Sequence, residues 1–175
     1  INLYIPSVLT WKEKSLKLRM TTDYPEHGKV VIKLEETSKE PLTINLRRPV
    51  WAAGDVAIRI NGSKQKVESV PGSFISLHRK WKKNDVIELI LPMPLYTVSM
   101  PDNVDRRAVF YGPTILAGTF GTEKRKMGDI PVFVSEEKSL TNYIKKISDT
   151  SVSFVTTLPG GPDNVKMLPF YKVAD

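Results

Sequence analysis

The residue types that do covalent or acid–base chemistry are present among the 175 residues, but in no pattern that builds a site. Cysteine is absent, so these residues hold no thiolate nucleophile, thiolate metal ligand or disulfide. The serines lie in no Gly-x-Ser-x-Gly elbow. Two histidines are present, His27 in a predicted turn and His78 on a predicted strand face. Two histidines with a carboxylate can hold zinc, but this spacing forms no ligand motif. The plainer reading is two surface or partly packed side chains. Glycoside hydrolysis usually needs two carboxyl groups flanking the scissile bond. Glu35 and Glu36 are adjacent on a predicted strand and point to opposite faces. Asp102 and Asp105 fall in a loop, where Asp and Asn commonly stabilise turns. Neither pair has neighbours that would drive the two pKa values apart. Gly112, Gly118 and Gly121 precede no helix whose N-terminus could meet a phosphate.

The remaining candidates are aromatic. Trp11, Trp51 and Trp81 each fall at a predicted strand end beside basic or proline residues. Indoles in such places cover the open ends of a sandwich core. If exposed, Trp51 and Trp81 would instead give stacking platforms for sugar rings, and they are the candidate substrate-binding residues. No catalytic or metal-binding residue is expected.

The elements that must position these side chains are strands. Across residues 46–81 apolar and polar residues alternate, and each run stops at Pro, Asn61-Gly62 or Pro71-Gly72. That is the pattern of antiparallel strands with one wet face. Asn61-Gly62 suits a two-residue hairpin, whose central positions both need positive φ. The same period of two runs through Leu16, Leu18 and Met20, through Val30, Ile32 and Leu34, through Leu42, Ile44 and Leu46, and through Ile87, Leu89 and Leu91. Residues 1–94 thus offer seven or eight strands at even spacing, the signature of a sandwich. Beyond them, Gly112-Pro113 turns between two largely apolar strands. A charged loop is expected at 121–129 and another strand at 130–134. Ser139 is placed to cap a short helix carrying Leu140, Tyr143, Ile144 and Ile147. Val152, Phe154 and residues 167–171 read as extended, and residues 159–162 as a loop. The expected fold is all-β: an antiparallel, jelly-roll-like sandwich over 1–100, then a smaller β unit with one short helix over 101–175.

Thirteen prolines and ten glycines act as punctuation, as many short strands require. The net charge of +7 raises the question of nucleic acid. Lysine and arginine cluster at 12–19, 80–83 and 124–126. No helix–turn–helix, aromatic RNA-binding motif or zinc pattern accompanies them, and lysines on outward strand positions also block edge-to-edge pairing. Neither a nucleic-acid nor a membrane partner is expected; no run of about 18 apolar residues exists. No charged-then-apolar leader opens the chain, which starts at Ile1 in strand-like sequence. A fragment of a longer protein, without a signal peptide of its own, is the expectation.

Several motifs then occur in a telling order. Residues 2–7 read Asn-Leu-Tyr-Ile-Pro-Ser, and Trp11-Lys12 and Leu16-Lys17-Leu18-Arg19 follow. Residues 46–52 are Leu-Arg-Arg-Pro-Val-Trp-Ala, with Ile60-Asn61-Gly62 and Pro71-Gly72-Ser73-Phe74 after them. Trp81, Asn84-Asp85 and Leu91-Pro92-Met93 come next, then Phe110-Tyr111-Gly112-Pro113, Leu116-Ala117-Gly118 and Leu168-Pro169-Phe170-Tyr171. The ordered set resembles the region that follows the catalytic barrel in glycoside hydrolase family 127, a family of β-L-arabinofuranosidases. The resemblance implies β-sandwich domains after a helical toroid. It also implies a catalytic cysteine within a zinc site of cysteines and a glutamate, which a chain without cysteine cannot supply. The expected role is therefore a non-catalytic accessory region. Its partners would be an upstream catalytic domain of the same chain, possible homo-oligomer contacts and a possible glycan. Any zinc would belong to the catalytic domain. The parent is expected to be secreted or periplasmic. The alternative is a carbohydrate-binding module using an exposed tryptophan.

Overall fold

The computed structural model describes residues 1–121, 140–148, 150–157 and 164–173. The expectations for 122–139, including the strand at 130–134, the basic cluster at 124–126 and the Ser139 cap, lie outside them. So does the loop at 159–162. The chain divides into two compact units, Ile1–Pro94 and Leu95–Asp175.

The first unit has eight strands: β1 (Ser7–Trp11), β2 (Leu16–Thr22), β3 (Lys29–Glu36), β4 (Leu42–Arg47), β5 (Ala57–Ile60), β6 (Ser63–Gln65), β7 (Phe74–Arg79) and β8 (Val86–Ile90). Six form one antiparallel sheet in the order β1-β2-β3-β8-β5-β6, and β4 pairs with β7 in a second. The pairs β3–β8, β4–β7 and β5–β6 are nested and alternate between sheets. This is jelly-roll wiring. Strand alternation puts Leu18, Met20, Val30, Ile32, Leu34, Ile58, Ile87 and Leu89 on one inner face. Ile44, Leu46, Ile75 and Leu77 supply the other, in the same core cluster. Asn61 and Gly62 both have positive φ and close the β5–β6 hairpin, as their types require. A register shift at Lys17/Leu18 bulges Glu35 outward, where it meets Lys17 at 3.1 Å and Arg19 at 2.6 Å.

The second unit carries β9 (Leu95–Ser99), β10 (Arg107–Tyr111), β11 (Thr114–Gly118), β12 (Ile144–Lys146), β13 (Phe154–Thr156) and β14 (Lys166–Pro169). Their order is β12-β13-β14-β11-β10-β9. Tyr111 of β10 and Phe154 of β13 bring their ring centroids within 5.1 Å, although two strands separate them. A flat sheet would hold those strands about 14 Å apart, so this one curls around its core. That core is Leu116, Ile144, Val152, Phe154 and Met167, with Leu95, Val109 and Tyr111 against it. The helical turn read around 140–147 is a single 3-10 turn, Leu140–Tyr143. Ile144 belongs to β12, pairs with Thr156 and is buried, while Ile147 is exposed. Pairing with β13 overrides the helical spacing there. Among the described residues no helix is long and apolar enough to cross a membrane.

Candidate functional site

Trp81 and Trp51 occupy opposite ends of β4. Trp81 is 3% exposed; its indole N–H donates to the Leu42 carbonyl at 2.9 Å, and the Arg79 guanidinium lies 5.3 Å from its ring centre. A buried, hydrogen-bonded indole has no face free for a sugar ring, so the structure places Trp81 in the core instead of on a platform. Trp51 follows the other end of β4, about 17 Å away along a six-residue strand. It is half-buried and stacks on Tyr24 at 6.3 Å. Tyr24 in turn meets Tyr4 edge-on at 6.0 Å. The Tyr4 hydroxyl donates to the Arg47 carbonyl, and burial, reinforced by Tyr24, pushes its pKa up. The two tryptophans therefore do not form one site. Trp11, at the end of β1, is the indole with an open face, at 42% exposure.

Beside Trp51 lies an arrangement that the sequence did not advertise. Arg48 is buried, and among the described residues it has no carboxylate partner. Its Nε donates to Ala52 O at 3.1 Å and its Nη2 to Gly54 O at 2.7 Å. Its Nη1 donates to both the carbonyl and the hydroxyl of Ser69. The Arg48 backbone also brackets the Pro71-Gly72 turn, through Arg48 N to Ser73 O and Gly72 N to Arg48 O. One guanidinium fork thus pins two loops against the end of β4. The cleft they bound is lined by Arg48, Asp55, Glu68, Ser69, Val70 and Phe74 among others. The guanidinium in this wall is already committed to three carbonyl oxygens and a hydroxyl.

At the β5–β6 turn, Asp85 is buried. Burial pushes its pKa up, but the Lys82 N–H and the Asn61 amide donate to it and hold it below the ordinary carboxylate range. Asn61 also accepts the Val86 N–H at 2.8 Å. The group is a turn lock with every oxygen engaged, a structural use of a buried acid.

Among the described residues, no group of three or more His, Cys, Asp or Glu could hold a metal. His78 hydrogen-bonds Thr43 at 2.8 Å on the outer face of β4–β7, and His27 sits in the turn before β3. The donor set of a cysteine-based zinc site is not present in these residues.

The first unit matches a family model described as Beta-L-arabinofuranosidase, GH127 middle domain, over residues 1–93. The chain belongs to the GH127 family. A solved structure described as a glycoside hydrolase aligns with a TM-score of 0.68 at 21% identity, over 94% of this chain and 31% of its own. The GH127 β-arabinofuranosidase BT3674 aligns with a TM-score of 0.66 at 20% identity, over 98% of this chain and 32% of its own. Those two likenesses speak to fold. Ara127N-Se, a GH127 β-L-arabinofuranosidase from Geobacillus Stearothermophilus T6, is 26% identical with a TM-score of 0.57, over 65% of this chain and 19% of its own. The chain thus spans about a third or less of the solved glycosidases it matches. No curated protein matches it.

Proposed function

We propose that this chain is a non-catalytic accessory region of a secreted or periplasmic β-L-arabinofuranosidase-like glycoside hydrolase, packing against the catalytic barrel of the same polypeptide. The observation that carries this reading is the GH127 middle-domain match in a chain with no cysteine. The thiolate nucleophile and zinc site that the family resemblance implies must then come from elsewhere in the parent. The rival reading, a glycan-binding module, retains Trp51 but loses Trp81 to the core.

The test is hydrolysis of a panel of chromogenic arabinofuranosides and related glycosides by the 175-residue chain and by its parent in parallel. Turnover by the parent with none by the chain is the expected outcome, and it names the sugar. Turnover by the purified chain would sink the proposal. Saturable binding of a panel sugar by the chain, abolished in Trp51→Ala, would favour the rival.

A further inference from the structure

The six-stranded sheet of the first unit has two edges, and among the described residues only one is protected. Strand β6 is three residues long, polar, and carries Lys64. Shortness and a lysine are ordinary ways to blunt an edge. Strand β1 has neither device. It is five residues long, reads Ser-Val-Leu-Thr-Trp with no charge, and all five residues are exposed. Among the described residues it pairs with β2 and nothing pairs with its other side.

Register makes the anomaly sharper. Leu9 lies opposite Leu18 and Trp11 opposite Leu16. Leu18 and Leu16 are buried on the inner face of the sheet, so Leu9 and Trp11 are on that face too. They nevertheless remain 47% and 42% exposed. Width accounts for this: a sheet of six strands cannot be covered across its whole inner face by a pair of two. On the extended segment just before β1, Tyr4 is buried while Leu3 and Ile5 point outward, at 67% and 59% exposure. Val8 adds the outer face of β1, so five exposed apolar side chains fall within nine residues. Exposed apolar side chains gathered on both faces of one open edge, and on the segment leading into it, mark an interaction surface.

We propose that these side chains, along the unprotected β1 edge, dock the domain that precedes the middle domain in the parent glycosidase. The proposal rests on the accessory-region reading. Three observations select this occupant over a second copy of the chain. The matching model is a middle domain, and the solved relatives are about three times the length of the aligned region. The edge also lies at the first residues of that match, so a preceding domain would be tethered beside it at high effective concentration.

Hydroxyl-radical footprinting read by mass spectrometry tests this without any variant that could misfold. It is done on the 175-residue chain and on the parent, each at a low and a high protein concentration, with buried Trp81 as internal reference. Leu9 and Trp11 should label strongly in the chain and be protected severalfold in the parent at both concentrations. Equal labelling of Trp11 in chain and parent would overturn the proposal. Protection that grows with concentration would also overturn it, because the occupant would then be a second copy. Footprinting does not depend on turnover, so a parent that hydrolyses nothing would refute the accessory-glycosidase reading while leaving the docking result readable.

Discussion

The two six-stranded sheets solve the problem of covering apolar surface differently. In the first unit, β2, β3 and β8 mix charge into the outer face: Leu18, Ile32 and Ile87 face the core, and Arg19, Lys33 and Glu88 face outward beside Val31, Val86 and Ile90. The second sheet carries an apolar group on each side. Its inner face holds Leu116, Phe154 and Met167, while Tyr96, Phe110, Ile115, Ala117 and Leu168 stand on the outer face, half-buried or exposed. Tyr96 and Phe110 stack there at 5.3 Å. Among the described residues one curled layer encloses this core, and its outer face carries Lys145 and Lys166 beside the apolar group. The lesson is that strand alternation reports the number of wet faces, not the number of layers.

This comparison breaks first at the inner faces. Phe154→Ala should cost about 3 to 5 kcal/mol and Leu34→Ala about 2 to 5 kcal/mol in denaturant unfolding, from lost burial and a residual cavity. Phe110→Ala on the outer face should cost clearly less than Phe154→Ala. Equal losses would mean that the second sheet is packed on both sides in the isolated chain. Next comes Arg48→Met, which keeps the aliphatic stem and removes the donors. About 2 to 3 kcal/mol should be lost, because the carbonyls of Ala52, Gly54 and Ser69 are left short of partners. Hydrogen exchange should accelerate at 52–54 and 69–73 and stay unchanged in the second unit.

Asp85→Asn should cost about 1 to 2 kcal/mol at neutral pH, since an amide cannot accept both donated hydrogen bonds as well as a carboxylate does. Asp85 also has a pH signature. Its folded pKa is held below the unfolded value of about 3.9, so the unfolded chain binds more protons in that window. Its contribution is complete above the unfolded pKa and is lost as pH falls through the folded one. Acid titration of stability should therefore lose part of its slope below about pH 4 in the Asn variant. The smallest effect belongs to Glu35→Gln. Arg19 and Lys17 hold this carboxyl below its ordinary range, but all three side chains reach solvent, and such pairs contribute little. Thermal unfolding in moderate salt should not distinguish it from the parent sequence; a clear loss would show that the bulge at Lys17/Leu18 depends on the ion pair.

Much of the first unit was legible because local and global demands agree there. Asn61-Gly62 announces its hairpin through the φ values it tolerates, and the strands announce their inner faces through period two. Sequence reading was weaker wherever the deciding partner is distant. Arg48 looks like one more surface cation until loops at 52–54 and 69 bring their carbonyls to it. Trp81 looks like a candidate platform until the carbonyl of Leu42 claims its N–H. Ile144 fits a helical stripe and a strand equally well, and only β13 decides between them. The openness of Trp11 depends on the width of the opposite sheet, which no local pattern encodes.

The nesting of β5–β6 inside β4–β7 inside β3–β8 also sets a timetable. Ile60 pairs with Ser63, Leu46 with Ile75 and Ile32 with Ile87, so each outer layer closes a longer loop than the one within it. Chains dominated by distant pairings fold slowly, and local hairpins form first. We expect refolding to proceed outward from the Asn61-Gly62 turn, with β3–β8 joining late. Pulse-labelling hydrogen exchange should see protection at Ile60 before Ile32; the reverse order would mean that the sandwich nucleates across its long loops.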